Sequence, residues 1–349
     1  MSAASVPIDA LSSQIPSIIV DCDAGIDDAQ AIFTILRAQE LNQVRLLAII
    51  CTAGNCGLES VIGNVCAVLE GFGGHRALAT KVYVGASKPL VAHPTGVGAE
   101  DWMGSDGLGG LGLGSLASQK YVDNSVHGAV ALLEMLRVEE EAKRTPPTLL
   151  VLGPCSTLAL ALHLSRGDEI ERRIGKLVVM GGAVDARGNA KACTSEFNIE
   201  ADPEAAAVVF RTQWKSATLV AWELTTRSGL SPETVDKWLN VSTPRSKWLG
   251  GVSAFLLSAS KAIDPVAFAA KGFYIPDPLA AIVALRPLSI SKADDNVGIL
   301  IELAGARTRG MTVVDWGGRH KNEAPRVWCI VQEMSATMIA AILIDSVVT

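Results

Sequence analysis

The chain lacks any run of basic residues, any zinc-type spacing of cysteine and histidine, and any uninterrupted apolar stretch of the ~20 residues a membrane span needs. Each absence removes a class of function. The 30 Lys and Arg are scattered among 36 Asp and Glu for a net charge of -6, so no face is predicted to bind a nucleic-acid polymer. A zinc site wants paired Cys or His, and His75, His93, His127, His163 and His320 stand far from any such pair. The seven cysteines are odd in number, dispersed and mostly set in apolar segments, which predicts reduced thiols in a soluble cytoplasmic protein. Residues 1–16 are Ser- and Ala-rich, without the basic start and long apolar run of a secretory signal, and read as a loose leader to a single domain filling the 349 residues.

With 49% apolar residues, the chain can bury a large core. Short apolar runs ending in Gly, Asp or Pro (17–20, 45–50, 81–85, 148–152, 176–180 and 217–221) alternate with segments of helical period (29–39, 58–71, 125–140, 156–165 and 203–210). This predicts an α/β fold: a single-domain, open, mostly parallel β-sheet flanked by helices around a Rossmann-like core. Beyond residue 250 the expectation is helices over 252–262 and 277–285, strands over 296–303, 311–314 and 327–331, and a closing helix over 335–344. The most biased stretch, "GSDGLGGLGLG" at 104–114, reads as a mobile loop.

The sharpest local signal is "SIIVDCDAGIDDA", an apolar strand followed by Asp21, Asp23, Asp27 and Asp28, with Gly25 permitting a tight turn into a helix. In open parallel sheets, ligands bind beyond the carboxyl ends of strands, where this cluster falls. Four neighbouring carboxylates repel one another unless a cation compensates, and hard divalent cations prefer such oxygen ligands. The competing local reading has Asp27 and Asp28 complementing a helix dipole and Asp21 and Asp23 making turn bonds. Strand-Asp-x-Asp also opens the haloacid-dehalogenase-type phosphohydrolases, with Asp21 as nucleophile, Asp23 as proton donor and Mg²⁺, although the Asp27-Asp28 pair does not fit that pattern.

The string from Asp21 to Ala29 resembles the opening motif of the nucleoside hydrolases, the inosine-uridine type ribohydrolases. Further segments that resemble the family follow in order: "CTAGNC" from Cys51, "LGPCST" from Leu152, "MGGAVDARGN" from Met180, "SEFNIEADPEAA" from Ser195, "PDPLAA" from Pro276 and "RTRGMTVVD" from Arg307. The resemblance implies that Asp23, Asp28, Asp277 and the backbone carbonyl of Leu152 hold one Ca²⁺, and that Asp23 is the general base toward the attacking water. It assigns Asp27, Asn55, Glu196 and Asn198 to the ribose hydroxyls, joined by Asn189, and places Met180 in the substrate site. A nucleoside substrate and a homodimer or homotetramer are implied in the same way.

Two departures bear on the substrate. Many members have a His directly before the aspartate matching Asp277, where this chain has Pro276, and another near Trp102, where it has Met103. Both absences resemble the purine-specific branch, which stacks the base on tryptophan, and Trp102 falls close to such a position. The expectation is hydrolysis of purine nucleosides in purine salvage, inosine and guanosine ahead of uridine and cytidine, with Phe273, Tyr274 or Trp222 completing the stack. A non-catalytic nucleoside- or ribose-binding protein is the alternative of another class, against which the retained Asp23 speaks.

Overall fold

The computed structural model describes residues 15–91, 99–166 and 169–348. His93 and all but the last two residues of the expected leader lie outside them. The strands, in order, are β1 (Ser17–Cys22), β2 (Arg45–Cys51), β3 (Val82–Val84), β4 (Val122–Asp123), β5 (Thr148–Val151), β6 (Lys176–Met180), β7 (Ala217–Val220), β8 (Ile290–Ile301), β9 (Thr312–Asp315) and β10 (Trp328–Met334). The main helices are α1 (Ile26–Glu40), α2 (Leu58–Phe72), α3 (Glu100–Met103), α4 (Gly128–Glu141), α5 (Ser156–Leu164), α6 (Phe197–Ala201), α7 (Pro203–Phe210), α8 (Trp222–Arg227), α9 (Pro232–Leu239), α10 (Pro244–Ile263), α11 (Pro276–Leu285) and α12 (Ala336–Ser346).

The strands form one sheet in the order β4-β3-β2-β1-β5-β6-β7-β10-β8-β9. Pairing is parallel from β4 through β7 to β10, and antiparallel for β10 with β8 and β8 with β9. The chain therefore winds outward from β1 to β4, then returns to lay β5 on the opposite side of β1. That reversal opens a crevice beyond the ends of β1 and β5, the place where open α/β sheets take ligands.

Successive strand residues point to opposite faces, and both faces are apolar. β1 sends Ile18, Val20 and Cys22 into one core and Ile19 into the other. The first core packs under α1, α2, α11 and α12, the second under α4, α5 and α7. Four of the seven cysteines, Cys22, Cys51, Cys66 and Cys155, are buried, and all seven are unpaired. Among the described residues no single helix is long and apolar enough to cross a membrane.

The structure departs from the sequence reading mainly in the C-terminal third. β8 begins at Ile290 rather than 296 because its polar first half pairs with β10, with backbone contacts that periodicity does not report. α10 begins at Pro244, capped by Thr243 accepting from the Ser246 amide (3.0 Å), and runs through Gly250-Gly251, which disguised it. The Gly-rich segment, expected to be mobile, is wound around Asp106. Its carboxylate accepts from the amides of Leu108 (2.8 Å), Gly110 (2.8 Å) and Gly112 (2.7 Å), and Leu108 is fully buried.

The second core depends on Trp328, which is fully buried, stacks on Phe210 at 4.4 Å and donates its indole N–H to the Phe210 carbonyl (3.2 Å). Trp328→Ala is expected to destabilise the protein by ~3–5 kcal/mol, read by urea denaturation.

Candidate active site

The acidic turn begins where β1 ends. Ala24 takes the left-handed conformation (φ 43°), an uncommon choice for a non-glycine residue, and turns the chain sharply into α1. The turn is closed by Asp28, whose Oδ2 accepts from the Gly25 amide (2.8 Å). Asp28 thus does the capping work of the local reading, yet its Oδ1 is buried with no hydrogen-bond donor. Asp23 is held from the loop after β2: Asn55 donates its backbone N–H (2.7 Å) and its Nδ2 (2.9 Å) to the two Asp23 carboxylate oxygens. Glycine at 54 is required for this approach, because a Cβ there would stand 2.1 Å from Asp23 Oδ2.

Asp277 arrives from a distant part of the chain. It occupies the first turn of α11, and Pro276 supplies a preset φ at the helix start. Carboxylate oxygens of Asp27, Asp28 and Asp277 lie within 4.8 Å of one another. Asp23 adjoins this triad through Asp28 and adds its charge to those acting on Asp277. Burial comes first among the causes that push the Asp23 and Asp277 carboxyls well above the carboxylate range, followed for both by neighbouring aspartates. Burial, with Asp28 beside it, likewise raises Asp27 to about 8. Carboxylates so arranged ionise together only with a compensating cation. The orphaned Asp28 Oδ1, the glycine cradle and the all-oxygen donor set fit a hard divalent ion.

The loops after β5 and β6 complete the floor. Asn198 donates Nδ2 to the carbonyls of Leu152 (2.7 Å) and Met180 (3.2 Å), joining the two strand ends. Glu196 caps α6, accepting from the Asn198 and Ile199 amides and, across the loop, from the Gly182 amide (2.9 Å). Even so, burial holds its carboxyl at about 7. Asn189 accepts from the Phe197 amide (2.9 Å).

Above this floor opens a cavity of about 290 Å³. Asp27, Asn55, Trp102, Leu152, Met180, Asn189, Glu196, Asn198 and Asp277 line it, while Asp23 and Asp28 sit immediately behind. Every residue singled out from the sequence as a ligand or substrate contact is therefore brought to one place. Asp21 is not: it is buried in β1 with its carboxylate accepting from Thr52 Oγ1 (2.5 Å), which removes the phosphohydrolase reading that needs it as an accessible nucleophile. Of the three aromatic residues considered for the stack, Trp222 and Tyr274 line the cavity and meet edge to face at 5.9 Å. Phe273 is fully buried, pairs through its backbone with Leu230 and does not line the cavity. Among the described residues, no histidine lines the cavity. Asp101, Lys191, Glu200, Leu256 and Ser260 also line the cavity and were not anticipated. The i, i+4 spacing of Leu256 and Ser260 on α10 was the only sequence signal that could have paired any of them.

A buried carboxylate cluster suited to a hard cation, beside a polar cavity floor at the switch point of a mostly parallel sheet, places the chain in the class of α/β enzymes with an acidic site at the strand ends. More specifically, the chain belongs to the inosine-uridine preferring nucleoside hydrolase family, whose family model matches residues 18–339. It is 32% identical over 326 residues to the inosine-uridine preferring nucleoside hydrolase of Leishmania major, covering 90% of this chain and 95% of that protein. It is 29% identical over 299 residues to the pyrimidine-specific ribonucleoside hydrolase RihA of Enterobacter sp. (strain 638), covering 86% and 88%. Among solved structures, an inosine-guanosine nucleoside hydrolase superposes with a TM-score of 0.78 at 28% identity over 95% of this chain and 98% of that one.

The raised carboxyls give a pH signature. With Asp27 at about 8 in the fold against an ordinary 3.8, the metal-free native state keeps protons that the unfolded chain loses between about pH 4 and 8. Stability of chelator-treated protein is expected to fall as pH rises through that window. Added divalent cation is expected to raise Tm more at pH 8 than at pH 5, as read by differential scanning fluorimetry; an equal rise at both would contradict it.

Proposed function

We propose that this chain hydrolyses the N-glycosidic bond of purine ribonucleosides, with inosine and guanosine preferred, and releases free base and ribose in purine salvage. The observation that carries this reading is a cavity with aromatic side chains (Trp102, Trp222 and Tyr274) above a carboxylate floor, with no imidazole among the described residues of its walls. The resemblance to an inosine-guanosine hydrolase supports it. The pyrimidine-specific relative is no less similar in sequence, so the choice rests on the cavity.

Bond cleavage leaves oxocarbenium-like positive charge on the sugar and negative charge on the base. The first is met by the floor: Asp27, Glu196, Asn189, Asn198 and Asn55, which line the cavity, would hold the ribose hydroxyls and surround the sugar with acceptors. Asp23, oriented by its two bonds from Asn55, serves as general base toward the attacking water. Asp23, Asp28, Asp277 and the Leu152 carbonyl would hold one Ca²⁺, which supplies a polarising charge for that water and an anchor for the ribose diol. The departing base requires a proton. A purine accepts it at its imidazole ring nitrogen from solvent, whereas a pyrimidine has no equivalent atom, so a site whose described walls carry no histidine suits purines. The seven unpaired cysteines fit the reducing cytoplasm.

Three outcomes are expected. In a panel of inosine, guanosine, adenosine, uridine and cytidine, kcat/KM for inosine and guanosine should exceed that for uridine and cytidine. Uridine cleaved as fast as inosine would overturn the purine reading, and absence of ribose release from any nucleoside would overturn hydrolysis. Asp23→Asn should lower kcat by about 10²–10⁴-fold. Trp102→Ala and Trp222→Ala should each lower kcat on inosine by about 10-fold, from stacking worth ~1–3 kcal/mol, while the inhibition constant of ribose moves little; an unchanged kcat removes that tryptophan from the stack.

A further inference from the structure

Asn64 lies on α2, outside the cavity lining, and only 1% of it is exposed. Its side-chain amide donates to two carbonyls that belong to different parts of the site. One is Ala24 O (3.1 Å), in the left-handed turn that directly follows Asp23. The other is Asp106 O (2.7 Å), in the loop whose amides wrap the Asp106 carboxylate. That loop in turn fixes α3, because the Gly109 amide donates to the Met103 carbonyl (2.7 Å) next to Trp102.

The glycines of the segment fit this arrangement. A Cβ on Gly63 would stand 2.6 Å from the Gly114 carbonyl, so α2 lies directly on the loop backbone. A Cβ on Gly107 would stand 2.9 Å from Asn64 Nδ2 and 3.3 Å from Ala24 O. The Gly-rich composition is thus explained by the positive φ of Gly104, Gly107, Gly109, Gly110 and Gly112 and by the close approach of Gly107 and Gly114 to the buried Asn64 amide.

We infer that Asn64 is a positioning residue that ties the turn carrying Asp23 to the loop that holds α3 and its Trp102, so that the proposed base and that indole are held in one register. A strained turn with a buried carbonyl keeps its conformation only while that carbonyl has its donor. Without it, Ala24 is free to relax toward the ordinary backbone region and carry Asp23 with it. The activity readout of this inference rests on the hydrolysis proposed above.

The test compares wild type with Asn64→Leu, which keeps bulk and removes the donor, and Asp106→Ala, which loosens the loop but leaves the Asn64 bond to Ala24. Two readouts are needed: Ca²⁺ affinity by titration calorimetry, and kcat on inosine and on p-nitrophenyl β-D-ribofuranoside, whose leaving group needs neither stacking nor a proton. Asn64→Leu should weaken Ca²⁺ binding and lower kcat on both substrates by about 10–100-fold, as loss of a supporting bond around a metal site does, with KM changing less than kcat. Asp106→Ala should lower kcat on inosine alone and leave Ca²⁺ affinity within about 2-fold. Should Asn64→Leu fail to fold, Asn64→Ala, which removes the donor without adding bulk, should give the same pattern. Unchanged Ca²⁺ affinity with unchanged kcat on the nitrophenyl riboside overturns the tether, as does an Asp106→Ala loss equal to that of Asn64→Leu. If wild type binds Ca²⁺ but cleaves no nucleoside, hydrolysis fails as a reading, while the calorimetric comparison still decides the tether.

Discussion

The structure is organised by an electrostatic conflict: Asp23, Asp27, Asp28 and Asp277 are buried together. Burial raises all four carboxyls, and repulsion from neighbouring aspartates adds to it at Asp23, Asp27 and Asp277. A fold tolerates such a cluster only with protons or a cation to offset it. The surroundings are arranged around that condition: Asn55 donates its backbone N–H to Asp23 and its Nδ2 to both Asp23 and Asp28, Gly25 donates to Asp28, and one oxygen of Asp28 is left with no donor.

The sheet supplies the means. Reversal of strand order at β1 opens the crevice, and β5 and β6 end beside it, so Leu152 and Met180 present carbonyls there. Asn198 bonds both carbonyls and thereby joins two strand ends that no helix or turn connects directly. Glu196 performs a similar service for the loop after β6, gathering the amides of Gly182, Asn198 and Ile199. Polar groups in this region act twice, once to hold backbone and once to face the cavity. Substitutions there are therefore expected to mix stability with function, and readouts that separate the two are needed.

The aromatic wall shows the same economy of placement. Trp222 opens α8 directly after β7, its amide bonded to Gly182 O (2.9 Å), and Tyr274 lies two residues before Pro276. Together they bring an edge-to-face pair to the cavity that Pro276 and Asp277 also line. Opposite in sequence, Trp102 and Met103 belong to a short helix kept in place by the loop wound on Asp106.

Much was legible in the residues alone. Short apolar runs and helical periods gave the mainly parallel sheet, because burial on both faces leaves a continuous apolar signature, and the order of motifs from Asp21 to Asp315 named the family. The carboxylates close in sequence announced a site, since like charges at that spacing need an explanation. Three things were decided only in space. Asp277 joins Asp27 and Asp28 because α11 packs beside α1, a contact between residues 250 positions apart that no local pattern encodes. Trp222 and Tyr274, rather than Phe273, reach the cavity because Phe273 turns inward to pair with Leu230. The Gly-rich segment is wound into a closed loop because a single carboxylate gathers its amides, and hydrogen bonds that close a loop on itself follow from backbone geometry, which composition does not carry.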